Sequence, residues 1–282
     1  MKISVSSYSF TKLYREGKLD LLGAIGLAKK LGFDAIELVD ADLSCGDLPF
    51  DEYATKLGDE ASRLDVEVSC CTFTADFLRG DTAAEVERVR KLCSAAAFTG
   101  TKMVRHDAAW SSGSFRSFDA ALPTLASAVR SVADFAESVG VRTSVENHGY
   151  FCQSSERLER LFNAIHHPNF RILCDIGNFL CVDEEPVSGV SRIAPYASNV
   201  HIKDFHFKNY GEDPGRGFIP TISGNMLRGA IVGHGCVPVK RCIDILKRAG
   251  YDGHLTIEFE GIEDSEYALQ ISLENLKRYI GE

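Results

Sequence analysis

Short runs rich in Val, Ile and other apolar residues alternate along the chain with longer stretches of helical period. In those stretches Leu, Ile, Val, Phe and Ala share one face and Lys, Arg and Glu the other. The short runs predict strands over Ile3–Ser7, Ala35–Val39, Val66–Cys70, Lys102–Arg105, Arg142–Glu146, Arg171–Cys174, Val200–Ile202 and Leu255–Phe259. Between and after them the period predicts helices over Leu19–Leu31, Asp51–Leu64, Ala83–Ala97, Leu122–Val139, Ser155–Ile165, Val187–Ala194, Val239–Ala249 and Glu266–Tyr279. Gly32, Gly140 and Gly250 stand at helix exits, and a YDGH turn precedes the last strand.

Parallel strands need helical crossovers, and closure covers both sheet edges, so eight such units predict an α/β fold, a (β/α)8 TIM barrel, over residues 1–282 as one domain. An open doubly wound sheet is the rival. Its usual nucleotide loop is missing, because YSFTKLY follows the first strand in place of GxGxxG or GxxxxGK[ST]. His201 and Glu258 lie 57 positions apart, a wider interval than most units need, which exposes a Gly-rich insertion at about 208–235. It is read either as a long surface loop or as a lid on the catalytic face carrying Arg216, Arg228 or His234 to a polar substrate.

Composition narrows the partners. With 31 basic and 40 acidic residues the formal charge is −9 and the pI about 5.4, which offers no general attraction for nucleic acid or anionic lipid. No apolar stretch reaches membrane-spanning length and MKISVSSYSF lacks a signal-peptide core, so a cytoplasmic protein is expected. The nine Cys form no CxxC pair, so free thiols are expected rather than a disulfide framework.

The chemistry gathers at four strand ends, in TSVE146NHG, RILCD175IGN, NVH201IKD and LTIE258FEG. Charges there are costly inside a core, but they can converge at the open carboxyl end of a barrel, where a metal offsets desolvation. Glu146, Asp175, His201 and Glu258 supply three carboxylates and an imidazole, a hard set suited to one divalent ion, Mn2+ first, with Mg2+ or Co2+ as alternatives.

On these motifs, taken in this order with the GHG and GYDG patterns before the last strand, nearly the whole chain resembles the xylose-isomerase-like TIM-barrel superfamily. Within it the chain resembles the sugar isomerases and epimerases related to tagatose and psicose epimerases. The resemblance implies one metal held by Glu146, Asp175, His201 and Glu258, with Glu146 and Glu258 also exchanging the substrate proton. Many relatives carry Asp-x-x-His at the sixth strand, whereas this chain has Asn178 at that place; Asn can orient a hydroxyl but cannot act as a cation or base.

Further candidates surround the set. His148 stands two residues after Glu146, and Lys203, Asp204 and His206 follow His201. His106 and Trp110 in RHDAAW follow the fourth strand, where Trp110 offers a ring for the carbon face of a sugar. Asn178 and Arg216 complete the expected substrate contacts; Tyr8 and Phe10 remain open between pocket wall and core. The expected activity is metal-dependent isomerisation or epimerisation of a sugar or polyol ketone through an ene-diolate. A dehydratase or lyase of a keto-sugar or inosose is the nearest alternative, then a noncatalytic carbohydrate-binding protein; a nucleic-acid endonuclease ranks low for want of a basic stripe. The exposed helix faces leave a homo-oligomer open.

Overall fold

The computed structural model describes residues 1–40 and 48–281. In chain order the strands are β1 (Lys2–Ser6), β2 (Ala35–Val39), β3 (Glu67–Phe73), β4 (Met103–His106), β5 (Arg142–Glu146), β6 (Phe170–Asp175) and β7 (Ala197–Ile202). Then come β8 (Asp204–Lys208), β9 (Ile219–Pro220), β10 (Met226–Ala230) and β11 (His254–Ile257). Eight of these close into a parallel barrel in the order β1-β11-β7-β6-β5-β4-β3-β2, which realises the TIM-barrel expectation. Closure is made by the first and last barrel strands, with Ile3 registered on Leu255 and Val5 on Ile257.

The helices are α1 (Thr11–Arg15), α2 (Leu21–Leu31), α3 (Phe50–Leu64), α4 (Thr82–Ala96), α5 (Phe118–Ser138), α6 (Ser155–Ile165), α7 (Pro186–Ile193), α8 (Val239–Arg248) and α9 (Ser265–Ile280). Their starts are set by caps: Asp20 accepts from the Gly23 N–H at 2.7 Å, Asp81 from Ala83 at 2.8 Å and Asp264 from Tyr267 at 3.1 Å. Helix α5 begins four residues before the expected Leu122, because Ser117 caps it and Pro123 is carried inside its second turn. Beneath the helices one apolar core runs from Ile3 to Leu276, with Phe10, Phe73, Phe77 and Phe179 fully buried. Phe10 therefore belongs to the core.

The insertion carries a feature its sequence reading did not include, a small antiparallel sheet linked by long turns. Barrel strand β7 passes through Lys203 straight into β8, which pairs antiparallel with β10, and β10 with β9. Phe205 and Leu227 of this sheet bury against Cys181. Its return path is anchored by Asp204, whose carboxylate accepts the backbone N–H groups of Phe205 (2.8 Å), Gly233 (2.9 Å), Gly235 (2.8 Å) and Val237 (3.0 Å). Glycine is required at 235, since a Cβ there would run into the Asp204 carboxylate and the Phe205 carbonyl. Asp204 and the GHG turn thus hold the insertion down.

Eight described cysteines are free, seven of them buried; Cys45 lies outside the described residues. No helix among the described residues is long and apolar enough to cross a membrane.

Candidate metal centre

Glu146 ends β5, Asp175 ends β6, His201 lies next to the end of β7, and Glu258 directly follows β11. These strands are four consecutive neighbours in the barrel, which is why residues distant in sequence meet. One ligand-type atom from each lies within 4.8 Å of the others. His201 Nδ1 is 3.4 Å from Glu258 Oε2, 3.7 Å from Glu146 Oε1 and 3.8 Å from Asp175 Oδ2.

Each of the four side chains is held from behind. His201 Nε2 meets Glu37 Oε2 at 2.9 Å, and Glu37 Oε1 accepts from the Ser6 hydroxyl at 2.9 Å, so the imidazole presents Nδ1 to the cluster. Asp175 Oδ1 accepts the N–H groups of Gly177 (2.7 Å) and Asn178 (2.8 Å). The Asn147 side chain pairs with the Asp175 backbone in both directions at 2.8 Å, tying β5 to β6. Arg105 reaches Glu146 Oε2 at 2.8 Å, and Lys203 reaches Glu258 Oε2 at 2.7 Å.

The electrostatics fit a divalent cation. Burial pushes the Glu146 carboxyl up, but Arg105 and then His201 outweigh it and hold it well below the usual range. Glu258 is likewise held low against burial, mainly by Lys203. Burial pushes Asp175 up; Lys203 opposes the rise and Glu146 adds to it, so this carboxylate lacks compensation. Two buried atoms in the cluster, His201 Nδ1 and Asp175 Oδ2, have no hydrogen-bond partner. Three buried carboxylates, Glu146, Asp175 and Glu258, converge on the unpartnered His201 Nδ1. An ion with oxygen and nitrogen preference and a double positive charge answers both the orphaned atoms and the converging carboxylates.

Above the cluster opens a cavity of about 140 Å3 lined by Tyr8, Arg105, Trp110, His148, Lys203 and Glu260 along with Glu146 and Glu258. Trp110 is 45% exposed and stands edge-on to His148, their rings 4.8 Å apart. His148 Nδ1 meets Asp107 Oδ1 at 2.9 Å, and Asp107 is shared with Arg105 at 2.7 Å. Burial disfavours the charged imidazole, yet Asp107 raises the His148 pKa above its ordinary value. Asn178 is buried and does not line the cavity; it donates to Glu146 Oε1 at 2.8 Å and accepts from Lys203 Nζ at 3.2 Å. It bridges the two sides of the cluster.

Two more expected substrate contacts also lie outside the cavity. His106 is fully buried, edge-on to Phe77, with Nδ1 on the Asp107 carbonyl at 2.8 Å; strand alternation gives the cavity to Arg105 instead. Arg216 is exposed on the insertion and does not line the cavity, nor do Arg228, stacked on Phe218, or His234. The residues that sequence reasoning missed are Glu37, which sits mid-strand in AIELV, and the Arg105–Asp107 pair as a support for Glu146 and His148. A lone charge inside an otherwise apolar barrel strand was the available signal for Glu37.

Known proteins place the chain. A curated inosose dehydratase from Lacticaseibacillus casei is 23% identical over 139 residues, 48% of this chain and 46% of that protein, so the chain spans about half the length of this relative. Among solved structures, the IolI protein with a bound zinc atom superposes with a TM-score of 0.78 at 16% identity, covering 99% of this chain and 98% of that one. L-ribulose 3-epimerase gives 0.74 at 16% identity, covering 99% and 94%. These likenesses show the fold. Residues 25–279 match the family described as the xylose isomerase-like TIM barrel, and the chain belongs to that family.

Proposed function

We propose that this protein is a divalent-metal-dependent isomerase or epimerase of a sugar or related polyol ketone, with Mn2+ as the first choice of metal. The observation that carries the reading is the convergence of Glu146, Asp175, His201 and Glu258 within 4.8 Å at the floor of a polar cavity. When bound there, a divalent ion supplies Lewis-acid polarisation of the substrate's carbonyl and adjacent hydroxyl oxygens.

The protein's own groups would handle the proton. Glu146 ends β5 and Glu258 follows β11, with β6 and β7 between them, and both line the cavity. One carboxylate takes the proton on the carbonyl-adjacent carbon, whose electron pair moves into the ene-diolate. The other, ionised at rest, first takes a proton from solvent and then delivers it to the opposite face of the same carbon in epimerisation; in isomerisation the first carboxyl returns its own proton to the neighbouring carbon. Lys203 and Arg105 stabilise the ionised carboxylates, and Trp110 offers a wall for the carbon face of the ring.

A second reading, dehydration of a keto-sugar or inosose, is favoured by the His148–Asp107 pair. Asp107 occupies Nδ1 of His148, while Nε2 has no hydrogen-bond partner among the described residues. An imidazolium there could donate a proton to a departing β-hydroxyl after α-proton removal. The name of the Lacticaseibacillus casei relative agrees with this alternative.

The test is incubation of Mn2+-loaded protein with sugars, ketoses and inososes in D2O, followed by NMR and mass spectrometry. Deuterium at a carbonyl-adjacent carbon of an isomer or epimer supports the first reading, and loss of water the second. Sugar binding with neither exchange nor conversion would leave a noncatalytic carbohydrate-binding protein.

A further inference from the structure

Beside the metal-facing cavity, and sharing Tyr8 and Glu260 with it, lies a groove of about 450 Å3 between α1 and the segment after β11. The inner cavity, about 140 Å3, falls below the roughly 300–1,000 Å3 usual for small-molecule sites, and the groove brings the joined site into that range. Its lining carries both signs of charge. Lys12 and Arg15, one turn apart on α1, are exposed and have no ion pair or hydrogen-bond partner for their side chains among the described residues. Glu263 lines the same groove and its carboxylate has no ion-pair or hydrogen-bond partner among the described residues, and Tyr8, 42% exposed, lines both spaces.

We infer that the groove binds a second sugar ring, so that the substrate is a glycosylated ketose or keto-polyol rather than a free monosaccharide. This rests on the reading of the inner cavity as a keto-sugar site. Hydroxyl groups both donate and accept, which suits a surface offering cationic donors on one wall and carboxylate acceptors on the other. Tyr8 supplies the apolar face on which a pyranose packs. Glu16 and Glu260 are already engaged by Lys18 and Lys203, which leaves Glu263 as the acceptor in need of a donor.

The experiment compares D-fructose, lactulose, isomaltulose and fructose 6-phosphate on Mn2+-loaded protein, by titration calorimetry and by carbon-bound proton exchange in D2O. Two or three new hydrogen bonds predict that at least one disaccharide binds about 10- to 100-fold tighter than fructose. The variants Lys12→Ala with Arg15→Ala, and Glu263→Gln, collapse that ratio, whereas Lys240→Ala on the distant helix α8 preserves it. Equal affinity for fructose and both disaccharides, tighter binding of fructose 6-phosphate than of either disaccharide, or no binding of a disaccharide overturns the inference. Tight disaccharide binding without proton exchange keeps the groove assignment and removes the proton-transfer reading; exchange with equal KM for all ketoses does the reverse.

Discussion

Replacing Glu37 tests whether the cluster is a metal site organised from behind. Glu37 is fully buried, touches no substrate-facing surface, and meets His201 Nε2 at 2.9 Å while accepting from Ser6 at 2.9 Å. In Glu37→Gln the amide oxygen can still accept the imidazole N–H, so orientation survives and only the carboxylate's contribution to ligand basicity is lost. In Glu37→Ala the N–H is left unpaired in a sealed site, and the ring is free to turn Nδ1 away. Partners of metal-bound imidazoles are typically worth about 10- to 100-fold in metal affinity, or ~1.4 to 2.7 kcal/mol. The expected order is therefore about tenfold weaker Mn2+ binding for Glu37→Gln and about 100-fold for Glu37→Ala. Affinity would be read by electron paramagnetic resonance titration of apo protein, with circular dichroism to confirm the fold. Wild-type affinity in the alanine variant, or a glutamine variant weaker than alanine, would refute the assignment of Glu37 as the group that positions His201.

Other expectations are more local. Burial pushes the His106 pKa down to about 4 from an ordinary 6.5, so below pH 6.5 the unfolded chain takes up a proton that the native chain excludes. Stability attributable to this group is present above pH 6.5 and falls as pH drops towards about 4, by up to about 3 kcal/mol; urea unfolding should show the loss reduced in His106→Gln, and parallel pH profiles would contradict it. Asp204→Ala removes the acceptor of four backbone N–H groups and should cost about 3 kcal/mol or more, with faster proteolysis within 209–225; unchanged cleavage would show that the insertion is held otherwise. Chelation should lower the Tm, since metal at 100 times its Kd adds about 2.7 kcal/mol to the native state; a Tm indifferent to chelator and to added Mn2+ would count against a metal centre.

The barrel was legible because strand and helix periods differ so sharply, and the ligand set because its members fall at or next to the ends of strands. Boundaries slipped where tertiary pairing extends an element beyond its apolar run, as in β3, which continues to Phe73 to pair with His106. The small sheet was hidden by its composition: β9 has two residues, and Gly-rich turns dominate the segment between β8 and β10. Glu37 escaped a search aimed at strand ends, since its role exists only through a partner 164 positions away. His106 misled for a related reason: its position near a strand end was right, but the pleat gives adjacent residues opposite faces and Arg105 took the inner one.

The distribution of the ligands over β5, β6, β7 and the segment after β11 has a consequence for synthesis. A growing chain has three of the four ligands once residue 201 has emerged, but Glu258 and the strand that seals the barrel against β1 arrive last. Full coordination of a bound ion would therefore wait for ring closure. Ion capture would act as a final latch on the nascent protein, and a chain truncated before β11 would lack both the seam and the fourth ligand.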